Sequence, residues 1–180
     1  MELQRREAAL NAVADSLRRI TQAIRLSSSV VQDTLGITGA QLFVLQQLAA
    51  QPGASLRELA ELTLTDQSSV SVVVSRVVDG GYVTRRVSAT DARRTELTLT
   101  RAGSALLRRA PALAQTRLMA ALHAVPAAEL RVTARVLERV ARAVGSTAEP
   151  APMFFEPASA RRRRTTAPRK RAANRRGVPR

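Results

Sequence analysis

The residues of this sequence that are best suited to chemistry are short hydroxyl side chains on one side of a predicted helix, Gln67–Asp79. The other side of that helix is apolar, because valines recur there at the helical spacing i, i+3, i+4 and i+7. At ~100° per residue, the outer side carries Ser68, Ser71, Val72, Ser75 and Arg76. Such a thin polar face can enter a major groove and bond phosphates or base edges, and a thymine methyl group would suit Val72. An ordinary surface helix with a few serines fits the helix alone equally well.

A polar loop between two alternating segments supplies a second candidate contact. Residues 82–87 and 96–99 alternate apolar and polar, as half-buried strands do, and the loop 88–95 carries adjacent arginines at its tip. Asp91 precedes Arg93 by two residues, so its carboxylate can hold that guanidinium in one orientation. A thin ribbon with a pre-aimed arginine fits a minor groove. The alternative is an ordinary hairpin with a surface ion pair that contributes little stability.

The scaffold for these two segments begins at Ser55. Ser55 and Glu58 form the capping-box pattern S-x-x-E, which begins a helix with several leucines on one side. Residues 63–66 break that pattern, and Asp66 is an N-cap candidate for the next helix. Glycines at 80 and 81 end the second helix. The order is therefore helix, turn, helix and two-stranded ribbon.

The ribbon residues also match a known family pattern. Residues 91–94 (DARR) followed by 97–103 (LTLTRAG) resemble the D-x-R…L-T-x-x-G wing signature of the MarR (multiple-antibiotic-resistance regulator) family of winged-helix transcription factors. Residues 81–85 (GYVTR) resemble the family's G-L-V-x-R entry into the wing. Residues 35–45 resemble its L-T-x-x-Q-F-x-V-L segment, with Leu42 where an aromatic residue is usual.

The resemblance extends over about residues 11–144 and implies a DNA-binding homodimer whose end helices pair. It places Arg93 in the minor groove and the 67–76 helix in the major groove. The predicted DNA-binding residues are Thr65, Gln67, Ser68, Ser69, Ser71, Val72, Ser75, Arg76, Asp91, Arg93 and Arg94.

The resemblance also implies a pocket between the dimerisation helices and the winged domain, often filled by aromatic or phenolic anions. The candidate ligand-binding residues are Ile20, Ile24, Arg25 and Phe43. Phe43 stands one place beyond the family's usual aromatic position, and Arg25 could meet an anionic group. The alternatives are a packed or half-exposed helix residue for Phe43 and a solvated charge for Arg25.

Composition favours a polyanionic partner, since the formal net charge is +15 and the pI is about 11.9. Cysteine is absent, which excludes disulfides, thiolate metal sites and a thiol redox switch. The single histidine, His123, lies in an apolar helical context and is predicted to be structural. Paired carboxylates, a nucleophile–base pair and cofactor loops are not visible in the sequence, so neither an enzyme nor a cofactor nor a metal site is predicted.

The flanking segments read as helices. Residues 2–33 form one long predicted helix whose apolar seam repeats at spacings 3, 4, 3, 4 and consists of Leu10, Val13, Leu17, Ile20 and Ile24. That seam packs either on the chain's own last helices or on a partner chain. Thr38 is predicted to cap a helix to about residue 51. A second long helix, 100–124, is kinked or split by Pro111, and a last helix covers about 126–144.

The predicted fold is mostly α with a small β-wing, a winged helix-turn-helix domain flanked by long N- and C-terminal dimerisation helices. The predicted domains are an N-terminal dimerisation helix (1–37), the winged helix-turn-helix domain (38–100), C-terminal dimerisation helices (101–145) and a disordered basic tail (146–180). Residues 150–180 hold 10 basic residues and one acid, hence a net charge of +9. The apolar triplet 153–155 in this tail is expected to be mobile; the alternative is docking on the folded domain or a partner.

These features predict a transcriptional regulator, a repressor that binds an inverted-repeat operator as a homodimer and is released by a small organic ligand. The alternative is an architectural protein whose basic tail binds DNA independently of sequence. No stretch approaches the ~18 apolar residues of a membrane helix, and the N-terminus has no apolar signal core. We therefore expect a cytoplasmic, nucleoid-associated protein.

Overall fold

Capping residues and glycines set the ends of most helices in the computed structural model of this chain. The structure describes residues 1–88, 91, 93–145 and 153. In chain order, the elements among these residues are α1 Glu2–Leu35, α2 Gly39–Ala50, α3 Leu56–Thr63, α4 Gln67–Asp79, β1 Val83–Val87, β2 Thr95–Leu99, α5 Arg101–Arg108, α6 Ala114–His123 and α7 Ala127–Ala143. The predicted fold class, mostly α with a small β-wing, is confirmed. Within the described part of the chain, no helix combines the length and the apolar character needed to span a bilayer.

The first helix is much longer than the body it joins. α1 has 34 residues, which corresponds to about 51 Å. It ends where Gly36 adopts a left-handed conformation, φ 69°, and donates its N–H to Gln32 O at 2.9 Å. The side chains of residues 2–23 are exposed, whereas Ile24 and Val31 are buried. The C-terminal third of α1 therefore packs on the winged domain, and the rest projects from it.

Two capping boxes begin the helices that surround the core. Thr38 Oγ1 accepts from Gln41 N at 3.2 Å, and Gln41 Oε1 accepts from Thr38 N at 2.8 Å. Ser55 and Glu58 repeat this arrangement at the start of α3, at 3.3 and 2.7 Å. Both starts agree with the sequence prediction. The largest buried side chains of α2 are Leu42, Phe43, Val44, Leu45 and Leu48.

The wing is an antiparallel hairpin in which Val83 faces Leu99 and Val87 faces Thr95. Its base is also bonded to the segment before α3. Leu97 N donates to Ala54 O at 3.0 Å, and Gly53 N donates to Leu97 O at 3.1 Å. The hairpin is therefore fixed to the helix-turn-helix through backbone bonds, and its strands lie within one residue of the predicted segments.

A close backbone contact joins the wing to α5. Thr100 caps α5 by accepting from Gly103 N at 3.0 Å, and its own N–H donates to Tyr82 O at 2.9 Å. A Cβ at residue 103 would lie 2.2 Å from Tyr82 O, so a glycine is needed for the two segments to approach this closely.

The predicted helix 100–124 is split, which is one of the two outcomes expected at Pro111. After the break, Leu113 is buried and Ala114 N donates to Ser27 Oγ of α1 at 2.8 Å. The start of α6 is therefore bonded to the part of α1 that packs on the winged domain. His123, predicted to be structural, is the last residue of α6 and is exposed.

One hydrophobic core runs through the winged domain and extends to Val31 of α1 and Leu113. α7 contributes no buried residue. Met153 is 3% exposed and belongs to the core, so the expectation of a merely mobile triplet is wrong for this residue. Phe154, Phe155 and the remainder of the predicted tail lie outside the described residues.

Candidate nucleic-acid interface

The orientation of α4 is determined by its valines. The side chains of Val70, Val73, Val74 and Val77 are fully buried. Because residues three and four apart share a helix face, the polar residues between these valines must lie on the outer side. The helix has 13 residues and presents that side along its length.

Asp66 holds the N-terminus of α4. Its Oδ1 accepts from Ser68 N and Ser69 N, both at 3.0 Å, and also from the Ser68 hydroxyl. The bonds from Ser68 and Ser69 lower the pKa of Asp66 from 3.8 to about 2, which keeps the carboxylate ionised. The Ser68 hydroxyl proton is directed to Asp66, so the Ser68 oxygen remains able to accept a bond from outside.

The turn before α4 uses a leucine in a left-handed conformation. Leu64 has φ 50° and caps the end of α3. Thr65 N donates to Ala60 O at 3.0 Å, and Thr65 Oγ1 donates to Thr63 O at 3.0 Å. The side chain of Thr65 therefore fixes the turn through the backbone.

The predicted residues of α4 lie together on its outer side. Gln67 and Ser68 are exposed, and the half-buried members of the set are Ser69, Ser71, Val72, Ser75 and Arg76. Ser75 Oγ donates to Ser71 O at 2.9 Å, a bond within the helix. The helix thus offers short polar groups and one valine at a surface that a groove could cover.

Arg85 is a functional candidate that the sequence reading did not include among the contacts. Its Nη2 donates to Ser75 Oγ at 3.2 Å, which places a guanidinium beside the polar face of α4. The alternation of side chains along a strand could have identified Arg85. It lies on the same strand face as the buried Val83, which is the face directed at the domain. A cation joined to the centre of α4 strengthens the positive field of this surface.

The predicted bond between Asp91 and the Arg93 guanidinium is wrong. Asp91 Oδ1 accepts instead from the backbone N of Arg93 at 2.9 Å, an Asx-type turn. Both residues are exposed, and among the described residues the Arg93 side chain has no ion pair. A two-residue spacing suits the shorter reach to the backbone, so Asp91 shapes the loop and leaves the guanidinium pointing outward.

Arg94 does not point away from the domain as its neighbour does. Its Nη2 donates to both carboxylate oxygens of Glu58, at 2.9 and 3.2 Å, and to Gly53 O at 3.4 Å. The predicted DNA-binding set therefore separates at this point, with Arg93 outward and Arg94 bound to α3.

The candidate ligand residues are not brought together as one pocket. Ile24 and Phe43 are buried core residues at 4% and 1% exposure, whereas Ile20 is 41% exposed on the projecting part of α1. The expectation that Phe43 lines a pocket instead of the core is wrong, because position 43 faces the centre of the domain. Arg25 is exposed and lines a cavity of about 220 Å³ with Ser28, Ser29, Gln32, Thr38 and Gly39.

Known proteins are similar to this chain in sequence. Residues 35–94, which include α4 and the wing loop, match the model of the MarR family. The HTH-type transcriptional repressor Rv2887 of Mycobacterium tuberculosis is 30% identical over 124 residues, covering 69% of this chain and 89% of that protein. The chain belongs to the MarR family. The resemblance seen in the sequence is therefore confirmed, and the chain is a DNA-binding transcription regulator of a family of regulators rather than enzymes.

Two solved structures are also similar to this chain. The PcaV transcriptional regulator of Streptomyces coelicolor, in complex with its natural ligand, is 30% identical, with 71% of this chain and 90% of that chain covered and a TM-score of 0.46. YusO of Bacillus subtilis is 25% identical, with 76% and 97% covered and a TM-score of 0.47. The HTH-type transcriptional repressor Mb2911 of Mycobacterium bovis is, like its M. tuberculosis counterpart, 30% identical over 124 residues.

Proposed function

We propose that this MarR-family chain is a repressor that binds an inverted-repeat operator as a homodimer and leaves it when a small organic ligand binds. The observation that carries the proposal is the outer side of α4, where short polar groups, Val72 and the guanidinium of Arg85 lie together. Repression is supported by the curated relatives, which are named as transcriptional repressors at 30% identity.

The homodimer is supported by apolar surface that the chain itself leaves exposed. Leu10, Val13 and Leu17 of α1 are 60%, 54% and 40% exposed, and Leu137 and Val140 of α7 are 42% and 46% exposed. We assign dimerisation to residues 1–37 and 101–145, and DNA binding to residues 38–100. A two-fold dimer would present two α4 helices, and a spacing near ~34 Å would place both in successive major grooves.

Each side chain of the proposed interface has a separate role. Gln67, Ser68, Ser71 and Val72 contact base edges, and Ser69 accepts or donates near phosphates at the start of α4. Ser75 and Arg76 extend this face, and Thr65 and Asp91 hold the turn and the wing loop. Arg93 enters the minor groove. Arg85 adds a phosphate contact beside Ser75.

Operator release is proposed at the cavity beside Arg25. This cavity lies where α1 meets the start of α2, so a ligand there contacts both a dimerisation helix and the winged domain. An aromatic acid would place its carboxylate on Arg25 and its ring between α1 and the start of α2. A tenfold loss of DNA affinity needs about 1.4 kcal/mol of differential binding, and the absence of cysteine removes a thiol switch as the trigger.

The ligand assignment is tested by a panel of phenolic and other aromatic acids in a DNA-release assay. Arg25→Ala should raise the concentration needed for release. Arg19→Ala, at an exposed arginine on the same helix that pairs with Asp15, is the matched control. Equal release from wild type and from Arg25→Ala would place the site elsewhere, and a panel without effect would indicate constitutive repression.

The DNA-binding proposal is tested by Arg93→Ala. Loss of one well-placed contact should weaken operator binding by about 1–3 kcal/mol. Fluorescence anisotropy with a duplex that the wild-type protein selects from genomic fragments measures the change. Asp91→Ala should do part of the same damage because it releases the loop backbone.

A second pair of variants tests the helix rather than the wing. Ser68→Ala combined with Val72→Ser should change which bases are preferred, since these side chains contact base edges in the proposal. If the preferred sequence is unaltered in this double variant, α4 is not the reading element and the proposal is wrong in its central part.

The alternative, an architectural protein, is tested by truncation after Pro157. This cut removes the basic residues 161–180 and retains Met153, which is part of the core. The regulator account expects a flatter dependence of log K on log salt and an unchanged preferred sequence, because each neutralised phosphate contributes ~0.9 to the slope. Loss of the preferred sequence, or an unchanged slope, would contradict this division of roles.

A further inference from the structure

The side chain of Arg94 connects the wing to the first helix of the helix-turn-helix. Its guanidinium meets Glu58, 36 residues earlier in the chain, with Nη2–Oε2 and Nη2–Oε1 distances of 2.9 and 3.2 Å. The same nitrogen lies 3.4 Å from Gly53 O in the segment that bridges the wing base. This contact is 42% and 33% exposed at the two side chains, so water reaches it.

Glu58 is also held in place by hydrogen bonds that do not involve Arg94. Its Oε2 accepts from Ser55 N at 2.7 Å and from Ser55 Oγ at 2.8 Å, as the capping box of α3 requires. The bond from the Ser55 backbone, followed by that from its hydroxyl, lowers the pKa of Glu58. The carboxylate is therefore a fixed, ionised acceptor on the rigid start of a helix.

The backbone of Arg94 closes the wing loop. Ser88 N donates to Arg94 O at 2.8 Å, and Arg94 N donates to Asp91 O at 2.9 Å. Arg93 is the adjacent residue and its side chain points outward. Any change in the direction of residue 94 is thus passed directly to the arginine proposed for the minor groove.

We propose that Arg94 is a positioning residue: through Glu58 it sets the angle between the wing loop and α4, and it does not contact DNA. The inference rests on the proposed DNA-binding function. An exposed ion pair adds little to overall stability. Its effect lies instead in where it holds the wing tip, since an arginine that misses its groove loses a contact.

Charge gives the two roles of Arg94 opposite signatures. Removing the negative charge of Glu58 should strengthen DNA binding if only electrostatics matter, because DNA is a polyanion. In the positioning account the same change weakens binding, because the wing loses its anchor. Glu58→Gln is the suitable variant, since glutamine also serves in capping boxes and preserves the start of α3.

The chain offers a matched control on the same helix. Glu61 pairs with Arg57 at 3.1 Å, both side chains are well exposed, and among the described residues neither forms an ion pair with the wing. Glu61→Gln therefore removes one negative charge at a similar position without releasing Arg94. The positioning account expects unchanged or slightly tighter DNA binding for this variant.

The experiment measures Kd on a duplex selected by the wild-type protein, at several salt concentrations, for Glu58→Gln, Arg94→Ala, their combination and Glu61→Gln. We expect each single change at the Glu58–Arg94 contact to weaken binding roughly fivefold, comparable to one exposed ion pair. The combination should be no weaker than Arg94→Ala alone, and the salt slope should stay at the wild-type value. Arg94→Gln serves as a second probe if the alanine variant does not fold, as judged by thermal unfolding.

The opposite pattern would overturn the inference. If Glu58→Gln binds as tightly as Glu61→Gln while Arg94→Ala reduces the salt slope by ~0.9, Arg94 contacts a phosphate directly. That outcome leaves the proposed function intact. Failure of the function itself would be seen differently, as a wild-type protein that selects no duplex at all.

Discussion

The winged domain and the terminal helices treat their apolar residues in opposite ways. In the winged domain the leucines of α2 and four valines of α4 (Val70, Val73, Val74 and Val77) are buried, and both capping boxes are complete. In α1, residues 2–23 are exposed, and α7 buries no residue. Both regions have apolar residues at helical spacing. In the proposed dimer, the difference is that the partner surface of the terminal helices belongs to a second copy of the chain.

The contrast indicates which part of the molecule is complete by itself. Burial of apolar surface stabilises by roughly 25 cal/mol per Å², and the exposed apolar residues of α7 and of residues 2–23 of α1 do not make that contribution within one chain. A second copy of the chain offers the same two helices, and a two-fold arrangement satisfies both at once. The winged domain would then be the DNA-binding domain, and the terminal helices would determine how the two DNA-binding domains of the dimer are spaced.

The largest expected effect comes from charging the α1 seam. Leu17→Glu with Ile20→Glu should yield monomer and reduce operator affinity ~10²–10⁴-fold, because the second half-site no longer adds to the first. Sedimentation and DNA binding measure the two effects. Gln22→Glu, on another side of the same helix, adds the same kind of charge and should leave both unchanged.

A monomeric double variant that binds the operator at wild-type strength would show that operator binding does not depend on dimerisation through the terminal helices. A variant that remains dimeric would move the interface to α7 or elsewhere.

The second effect concerns the interior of the winged domain. Leu45 is fully buried, so Leu45→Ala should lower the free energy of unfolding by about 2–5 kcal/mol. Leu137→Ala on α7 should instead make unfolding more dependent on protein concentration, because in the proposed dimer its partner lies on another chain. Denaturant titrations at several protein concentrations separate the two. Equal, concentration-independent losses would indicate that α7 packs within its own chain.

The smallest expected effect lies at the start of α4. Asp66→Ala removes an N-cap and should cost ~1 kcal/mol, whereas Asp66→Asn retains a capping oxygen and should cost less. Because the pKa of Asp66 falls from 3.8 to about 2 on folding, its contribution is present above pH 3.8 and is lost as pH falls through 2. Acid unfolding of wild type and Asp66→Asn checks this: the wild type should lose more stability over that window. Parallel acid profiles would mean that the Asp66 charge is not coupled to folding.

Most of the fold was predicted from local signals in the sequence. Capping boxes at Thr38 and Ser55, the N-cap at Asp66 and the break at Pro111 involve neighbours in sequence, so their partners could be named in advance. The MarR resemblance rested on the same kind of contiguous motif.

The parts that were missed depend on contacts between distant residues. Arg94 reaches Glu58 and Arg85 reaches Ser75 across the fold, and spacing alone does not reveal either bond. Asp91 was assigned to a guanidinium when the nearer backbone N–H was available. Phe43 was predicted to line a pocket because periodicity alone does not show that its side of α2 faces the core.

Selection from a pool of random duplexes by the 180-residue chain tests whether two copies of the chain read DNA together through α4. A two-fold dimer that reads DNA through α4 should enrich an inverted repeat whose half-site centres are about one helical turn, ~10 base pairs, apart or a multiple of it. Ser68→Ala with Val72→Ser should change both halves of that repeat alike. Enrichment of a single unrepeated half-site, or no enrichment of any sequence, would contradict a two-fold dimer that reads DNA through α4.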